Sequence, residues 1–170
     1  MGYTHYWTFV PAAKGQTKQL EDKYQAAILE CQKAVRKLAE WNRETHGSSL
    51  MSGFTAHCKP GEYGGLKIGA AGGESGETFV LREHFNENEL RDFCKTGRSS
   101  YDVAVTACLS ILKYRLGDSI QVASDGGAQE WEDGLLLARN VLKRQIPNPI
   151  PSKSVQEVKT NSAPRLKIVG

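Results

Sequence analysis

Residues 3–9 read Y-T-H-Y-W-T-F. In a strand, successive side chains point to opposite faces, so Tyr3, His5, Trp7 and Phe9 share one side and Thr4, Tyr6 and Thr8 the other. The first set is the more apolar, and a histidine stands in it. The stretch predicts a half-buried opening strand whose inner face carries either a core histidine with one good hydrogen bond or the floor of a site. The elements that follow must supply the cover for that face.

Pro11 to Gly15 punctuates the chain. Leu20, Tyr24, Ala27, Ile28, Cys31, Val35, Leu38 and Trp41 then recur at spacings of three and four, which predicts a packing helix of about 25 residues. Residues 47–76 are glycine-rich and offer one short strand candidate, Leu66–Ala70, before a better alternating one at Glu77–Leu81. A strand-like segment ending near Cys94 leads into a second helix. Ser99 is expected to cap it, with Asp102 in its first turn and Val105, Leu109, Leu112 and Leu116 as its buried stripe, until Gly117 stops it. A strand at Ser119–Ala123 and a third helix with Trp131, Leu135, Ala138 and Leu142 inside complete the body.

This order predicts an α+β domain over residues 1–145, with a long first helix and two later helices packed on a single layer of mainly antiparallel or mixed sheet. From Ile146 onward, Pro147, Pro149 and Pro151 forbid a helix, so residues 146–170 read as a proline-rich extended tail. Arg165–Val169 could pair as a strand against the body or a sister subunit, which gives a homo-oligomer a route through the tail.

With 170 residues, the chain suits one core. Of its 22 basic and 19 acidic residues, four and one fall after Gln145, leaving 18 of each in the body. A formally neutral body argues against a long nucleic-acid groove but permits a local cationic pocket. Cys31, Cys58, Cys94 and Cys108 lack C-x-x-C spacing and read as free core thiols. No run approaches the roughly 18 apolar residues that span a bilayer, and no basic-then-apolar leader opens the chain, so a cytoplasmic protein without membrane partners is expected.

Two junctions carry the candidate chemistry. Cys94-Lys-Thr-Gly-Arg-Ser-Ser precedes the second helix, and Val122-Ala-Ser-Asp-Gly-Gly precedes the third. Helix starts present unpaired N–H groups and a partial positive charge, so an oxyanion fits there. Lys95, Thr96 and Arg98 are expected to hold phosphate oxygens, and Ser124 with its two glycines to donate at the second junction. Asp102 or Asp125 would orient a hydroxyl, and Tyr101 or Trp131 would stack on a planar group. His5, with Tyr6 or Trp7 nearby, would line the same cavity. For each loop alone, ordinary capping with solvated basic residues is the plainer explanation. His46, His57 and His84 have no ligand spacing, so neither a metal site nor a cofactor is expected.

Ser110-Ile-Leu-Lys113 and Lys95-Thr-Gly97 match fragments of the penicillin-binding signature, but the third element is missing and the chain is too short for that fold. The phosphate-loop pattern and the G-x-S-x-G elbow are both absent from the sequence.

The opening M-G-Y-T-H-Y-W, the run F-C-K-T-G-R-S-S-Y-D at residues 93–102, and S-D-G followed by tryptophan over residues 124–131 together resemble a widespread group of small bacteriophage proteins, up to about residue 143. That resemblance implies life in the host cytoplasm and, by analogy with phage proteins that blunt host defences, capture of a nucleotide signal. The expected function is non-catalytic binding of a small anionic, nucleotide-derived molecule. The alternatives are an enzyme on such a ligand, with His5 as acid or base, and a protein-binding module that inhibits a host factor.

Overall fold

The computed structural model describes residues 2–46, 54–57, 65–70, 76–85 and 90–152. In chain order its elements are β1 (Thr4–Phe9), α1 (Thr17–His46), β2 (Phe54–His57), β3 (Gly65–Ala70), β4 (Phe79–Arg82), β5 (Arg91–Lys95), α2 (Asp102–Leu116), β6 (Ile120–Ser124) and α3 (Glu132–Leu142), with short 3₁₀ turns at 117–119 and 128–131. The class is α+β and the strand pairing is antiparallel throughout. The strands divide into two three-stranded sheets, β5–β1–β6 and β2–β3–β4. Glu77, just before β4, buckles them together: its N–H donates to Lys95 C=O (2.9 Å) and its carboxylate accepts from Lys95 N–H (2.9 Å). The β2 strand lies in the glycine-rich stretch, ahead of the one short strand expected there, Leu66–Ala70.

β1 is the central strand of its sheet because both of its hydrogen-bonding edges are paired, one with β5 and one with β6. His5 pairs with Cys94 on one side and Ser124 on the other; Trp7 pairs with Asp92 and Val122. Tyr3, His5, Trp7 and Phe9 are buried against the helices. Trp7 meets Phe79 edge-on at 5.1 Å, and Phe9 meets Tyr24 and Phe85 in the same manner, which carries the core across from the first sheet to α1 and the second sheet.

α1 buries the predicted stripe from Leu20 to Leu38, leaves Trp41 half-buried, and runs 30 residues against the expected 25 or so. Its Tyr24 hydroxyl donates to Arg82 C=O (2.9 Å), which fixes the helix to the end of β4. α2 is buried from Ala104 to Leu112 without interruption, not along one stripe, because it packs between α1 and α3 and under β6. The sequence V-A-V-T-A-C-L-S-I-L is apolar all round, and such a helix is buried all round. Its charges sit at the ends: Asp102 in the first turn, Lys113 and Arg115 in the last, each complementing the helix dipole.

Two expectations are corrected here. Ser99 does not cap α2: the helix begins at Asp102 after Tyr101, and the Asp102 N–H instead donates to Ser99 C=O (2.9 Å) in a preceding turn. The proline-rich segment does not leave the body at residue 146. Ile146 and Ile150 are buried, Arg139 donates to Ile146 C=O, and the Asn148 amide donates to Ala128 C=O (2.8 Å). The suggested tail strand at 165–169 and Cys58 lie outside the described residues. Cys31, Cys94 and Cys108 are buried free thiols, and burial, reinforced by Glu77 and Asp102, pushes the Cys94 thiol up to about 12, leaving it unreactive.

α2 and α3 approach unusually closely at Gly134. A methyl group there would sit 2.1 Å from Thr106 Oγ1 and 2.8 Å from the Ala107 amide nitrogen, and the latter is backbone that cannot swing aside. Gly134→Ala would gain up to about 1 kcal/mol in helix propensity, yet overpacking this contact costs about 1–3 kcal/mol. The expected net effect is a lower urea midpoint with an unchanged m-value; an increased midpoint would show that the helices can separate without loss.

Candidate functional site

The two helix-leading junctions meet at His5. Its ring is completely buried. Nε2 lies 2.7 Å from Asp102 Oδ1 at the start of α2, and Nδ1 lies 3.0 Å from Ser124 Oγ at the end of β6. Thr96, also fully buried, donates its hydroxyl to the same Asp102 oxygen at 2.5 Å. An ionised carboxylate only accepts, so Nε2 carries a proton. Ser124 Oγ accepts the Gly126 N–H (3.0 Å) and makes its other hydrogen bond with Nδ1. The chain Gly126–Ser124–His5–Asp102–Thr96 is thus satisfied at every link, as buried polar groups require.

Tyr3 and Trp131 close over the imidazole, both edge-on, at 4.9 and 5.0 Å between ring centroids. Above Tyr3 lies the Arg98 guanidinium, 4.1 Å from the ring centroid. Arg98 has φ 60°, directly after Gly97 at φ 61°, and a left-handed pair containing a non-glycine residue is strained by about 1–2 kcal/mol. That turn carries the guanidinium across to Glu130, whose Oε1 accepts from Nε (3.0 Å) and Nη2 (2.9 Å). Glu130 Oε2 accepts the Gly127 N–H (2.9 Å). These contacts, the Gly127 N–H first and Arg98 second, hold the Glu130 carboxyl below its ordinary value. The Tyr3 hydroxyl is pushed up to about 12 by burial and by the Asp102 and Glu130 carboxylates.

Beside this cluster is a cavity of about 380 Å³ between the starts of α2 and α3, lined among others by Arg98, Ser99, Ser100, Asp102, Glu130 and Asp133. Tyr3 also lines it, and its hydroxyl makes no well-formed hydrogen bond; nor does the buried Trp131 Nε1. Each unpaired buried group costs about 1–3 kcal/mol. Gly126 is required where it stands, since a Cβ there would lie 2.5 Å from Tyr3 Oη.

The structure gathers five of the eleven candidate residues, His5, Thr96, Asp102, Ser124 and Trp131, into one buried cluster, and Arg98 over it. The other five stand elsewhere. Trp7 is part of the core against Phe79. Tyr101 is fully buried with its hydroxyl on Glu77 C=O (2.8 Å), and like Trp131 it has no free face for a ligand to stack on. Lys95 and Tyr6 point to the opposite face of the sheet, so Lys95 cannot reach a phosphate in the cavity. Asp125 is occupied by the Thr4 N–H (3.0 Å) and lies 3.5 Å from the Tyr6 hydroxyl. The N–H groups of residues 125–127 are all spent internally, on Thr4, Ser124 and Glu130; the second junction therefore offers no donors to an oxyanion.

Tyr3 and Glu130 were missed. Tyr3 could have been found as the neighbour of His5 on the same strand face, and Glu130 as an acid three residues after a glycine at a helix start. Among the described residues, no group of three His, Cys, Asp or Glu side chains is arranged to hold a metal ion. The chain matches no protein-family model, no curated protein and no solved structure.

Asp102→Ala would strip the partners from His5 Nε2 and the Thr96 hydroxyl at once. A loss of about 1–3 kcal/mol in urea unfolding is expected, and a smaller one for Asp102→Asn, which retains an acceptor oxygen. An Asp102→Ala midpoint equal to that of the wild type would remove this relay from the account of stability.

Proposed function

We propose that the chain is a binding protein that captures a small anionic, nucleotide-derived molecule in the cavity at the start of α2. The observation that carries this reading is Arg98: a left-handed pair holds it over Tyr3, at the wall of a 380 Å³ cavity of the size that takes small ligands. Among the described residues lining that cavity, Arg98 stands against three carboxylates, Asp102, Glu130 and Asp133. Such a wall tolerates one anionic group, at the guanidinium, and favours hydroxyl or amino donors elsewhere, which is the distribution on a nucleotide with its sugar and base. For a chain of phage type, working in the host cytoplasm, such capture would withhold a host signal. No helix among the described residues is long and apolar enough to cross a membrane.

In the free protein Glu130 occupies the guanidinium, so an incoming oxyanion must compete with it. At a ligand concentration of about 100 Kd, binding adds about 2.7 kcal/mol, or about 5–10 °C in Tm for a chain of this size. A thermal-shift panel of mono-, di- and cyclic nucleotides is expected to contain such a ligand, Arg98→Ala to abolish the shift, Glu130→Gln to enlarge it, and Lys95→Ala to leave it unchanged. A flat panel, or an Arg98→Ala shift as large as that of the wild type, would overturn the proposal.

A second reading is favoured by one observation: Ser124, His5 and Asp102 stand in the order nucleophile, base and orienting acid. It is the weaker because the backbone donors next to Ser124 are spent, leaving none for an oxyanion, and because the imidazole is sealed. A fluorophosphonate probe followed by peptide mass mapping is expected to leave Ser124 unmodified, and a captured nucleotide released by heat to show its original mass. A labelled Ser124, or a ligand of changed mass whose change is lost in Ser124→Ala, would make the enzyme reading the better one.

A further inference from the structure

We propose that the outer face of the β5–β1–β6 sheet is a platform for a short single-stranded nucleic acid segment, with Tyr6 and Phe93 stacking adjacent bases and Arg91 and Lys95 meeting the phosphates. This face is opposite to the one that carries His5, and the proposal does not depend on the cavity.

Tyr6 and Phe93 are 42% and 53% exposed and are direct partners across the β1–β5 pair. Their centroids are 6.5 Å apart with planes tilted by 36°, so each ring keeps its own open surface. Strand alternation puts Arg91 and Lys95 on the same face as Phe93, one on each side of it, and both are exposed. Four residues of strand separate them by about 13 Å. On β6 the register brings Ala123 beside Tyr6 and Gln121 beside Thr8. The side chains that alternation assigns to this face on the three strands thus include two aromatics and two cations, with one carboxylate, Asp125, just past the end of β6 and 3.5 Å from the Tyr6 hydroxyl. Asp92 alternates to the other side, and Asp125, at the margin, is engaged by the Thr4 N–H.

Open aromatic faces flanked by cations are what unstacked bases and their phosphates require: stacking is indifferent to sequence, and the charges set the path of the backbone. Charge excludes the competing occupants. A second copy docked face to face would bring cations against cations. The chain's own last 18 residues carry Lys153, Lys159, Arg165 and Lys167 against Glu157 alone, and would be repelled likewise. With two cations, the face fits two or three nucleotides and does not track a long strand, in keeping with the neutral body.

The test is fluorescence anisotropy with labelled ten-nucleotide oligo-dT and oligo-U, and with a duplex of equal length, at about 50 and 200 mM salt. Single strands are expected to bind in preference to the duplex. Tyr6→Ala and Phe93→Ala should each weaken binding about tenfold, and Lys95→Ala should weaken it and reduce the salt slope by about one. Arg98→Ala should bind oligonucleotide as the wild type does, which separates failure of this proposal from failure of the cavity reading. Because these side chains are exposed, the variants should keep the wild-type melting temperature. No binding, equal binding of duplex, or unchanged affinity in both aromatic variants would overturn the proposal. So would sedimentation showing a wild-type dimer that Phe93→Ala dissolves, since the face would then belong to a second copy.

Discussion

The fold turns on one buried imidazole. His5 reaches from near the start of the central strand to the first residue of α2 on one side and the last residue of β6 on the other. Neither partner could be replaced by hydrocarbon without leaving the other end of the chain unpaired, and an unpaired polar group in that position costs more than the hydrogen bond itself returns. The contact therefore acts mainly as a constraint. A slip of β1 by one residue would bring Thr4 or Tyr6 to the place of His5, turn the aromatic face outward, and strand Asp102 and Ser124 together. Register, the entry of α2 and the exit of β6 are fixed by the same five-membered chain of donors and acceptors.

This constraint also explains why α2 starts as it does. A helix start is stabilised by a side chain that folds back on its own N–H groups, and Asp102 would be well placed to serve there. Its carboxylate is instead committed to His5 and Thr96, and the turn before it is built from backbone, Asp102 N–H to Ser99 C=O and Ser99 N–H to Thr96 C=O. The strained Gly97–Arg98 pair follows from the same geometry: the chain must leave the sheet edge at Thr96 and still bring Asp102 back under His5 within six residues. The guanidinium is carried over Tyr3 as a consequence of that path.

What the sequence disclosed, and what it hid, follows from how local each signal is. The alternation in Tyr3–Phe9 and the three-four spacing of α1 are properties of single segments, and both were legible. The pattern of α2 was only partly so: V-A-V-T-A-C-L-S-I-L contains a stripe at Val105, Leu109 and Leu112, but it also contains apolar residues everywhere else, and only the packing on two other helices shows that all of them are used. β2 alternates, Phe54-Thr-Ala-His57, but over only four residues amid glycines, and its pairing with β3 is what marks it as a strand. In the site, Thr96, Asp102 and Ser124 could be suspected from their place before helices. Lys95 was misassigned because proximity in sequence to Thr96 hides the fact that strand alternation sends the two to different destinations. Tyr3 and Glu130 act through the residues they cover; strand alternation beside His5 and the spacing after Gly127 are the local signals they offer, and neither shows that Arg98 joins the two.

The same alternation divides the chemistry of the protein between two surfaces of opposite charge. Inside the sheet, β1 contributes His5, with Tyr3 just before it, to a cluster that ends at three carboxylates, and there a cation is already paired. Outside, it contributes Tyr6 to a face where Arg91 and Lys95 outnumber the one carboxylate at its margin, Asp125. A polyanion drawn to the outer face would meet a carboxylate wall if it moved round the sheet edge toward the cavity, whereas a single phosphate can be met by Arg98 alone. Coulomb energy between surface charges at 4 Å is about 4 kcal/mol at the effective dielectric of a protein surface, and each carboxylate added to a cavity wall raises the cost of every further negative charge by a fraction of that. The opening strand thus separates a site that admits one anionic group from a face that favours several, because a pleat has two sides and its residues were chosen for both.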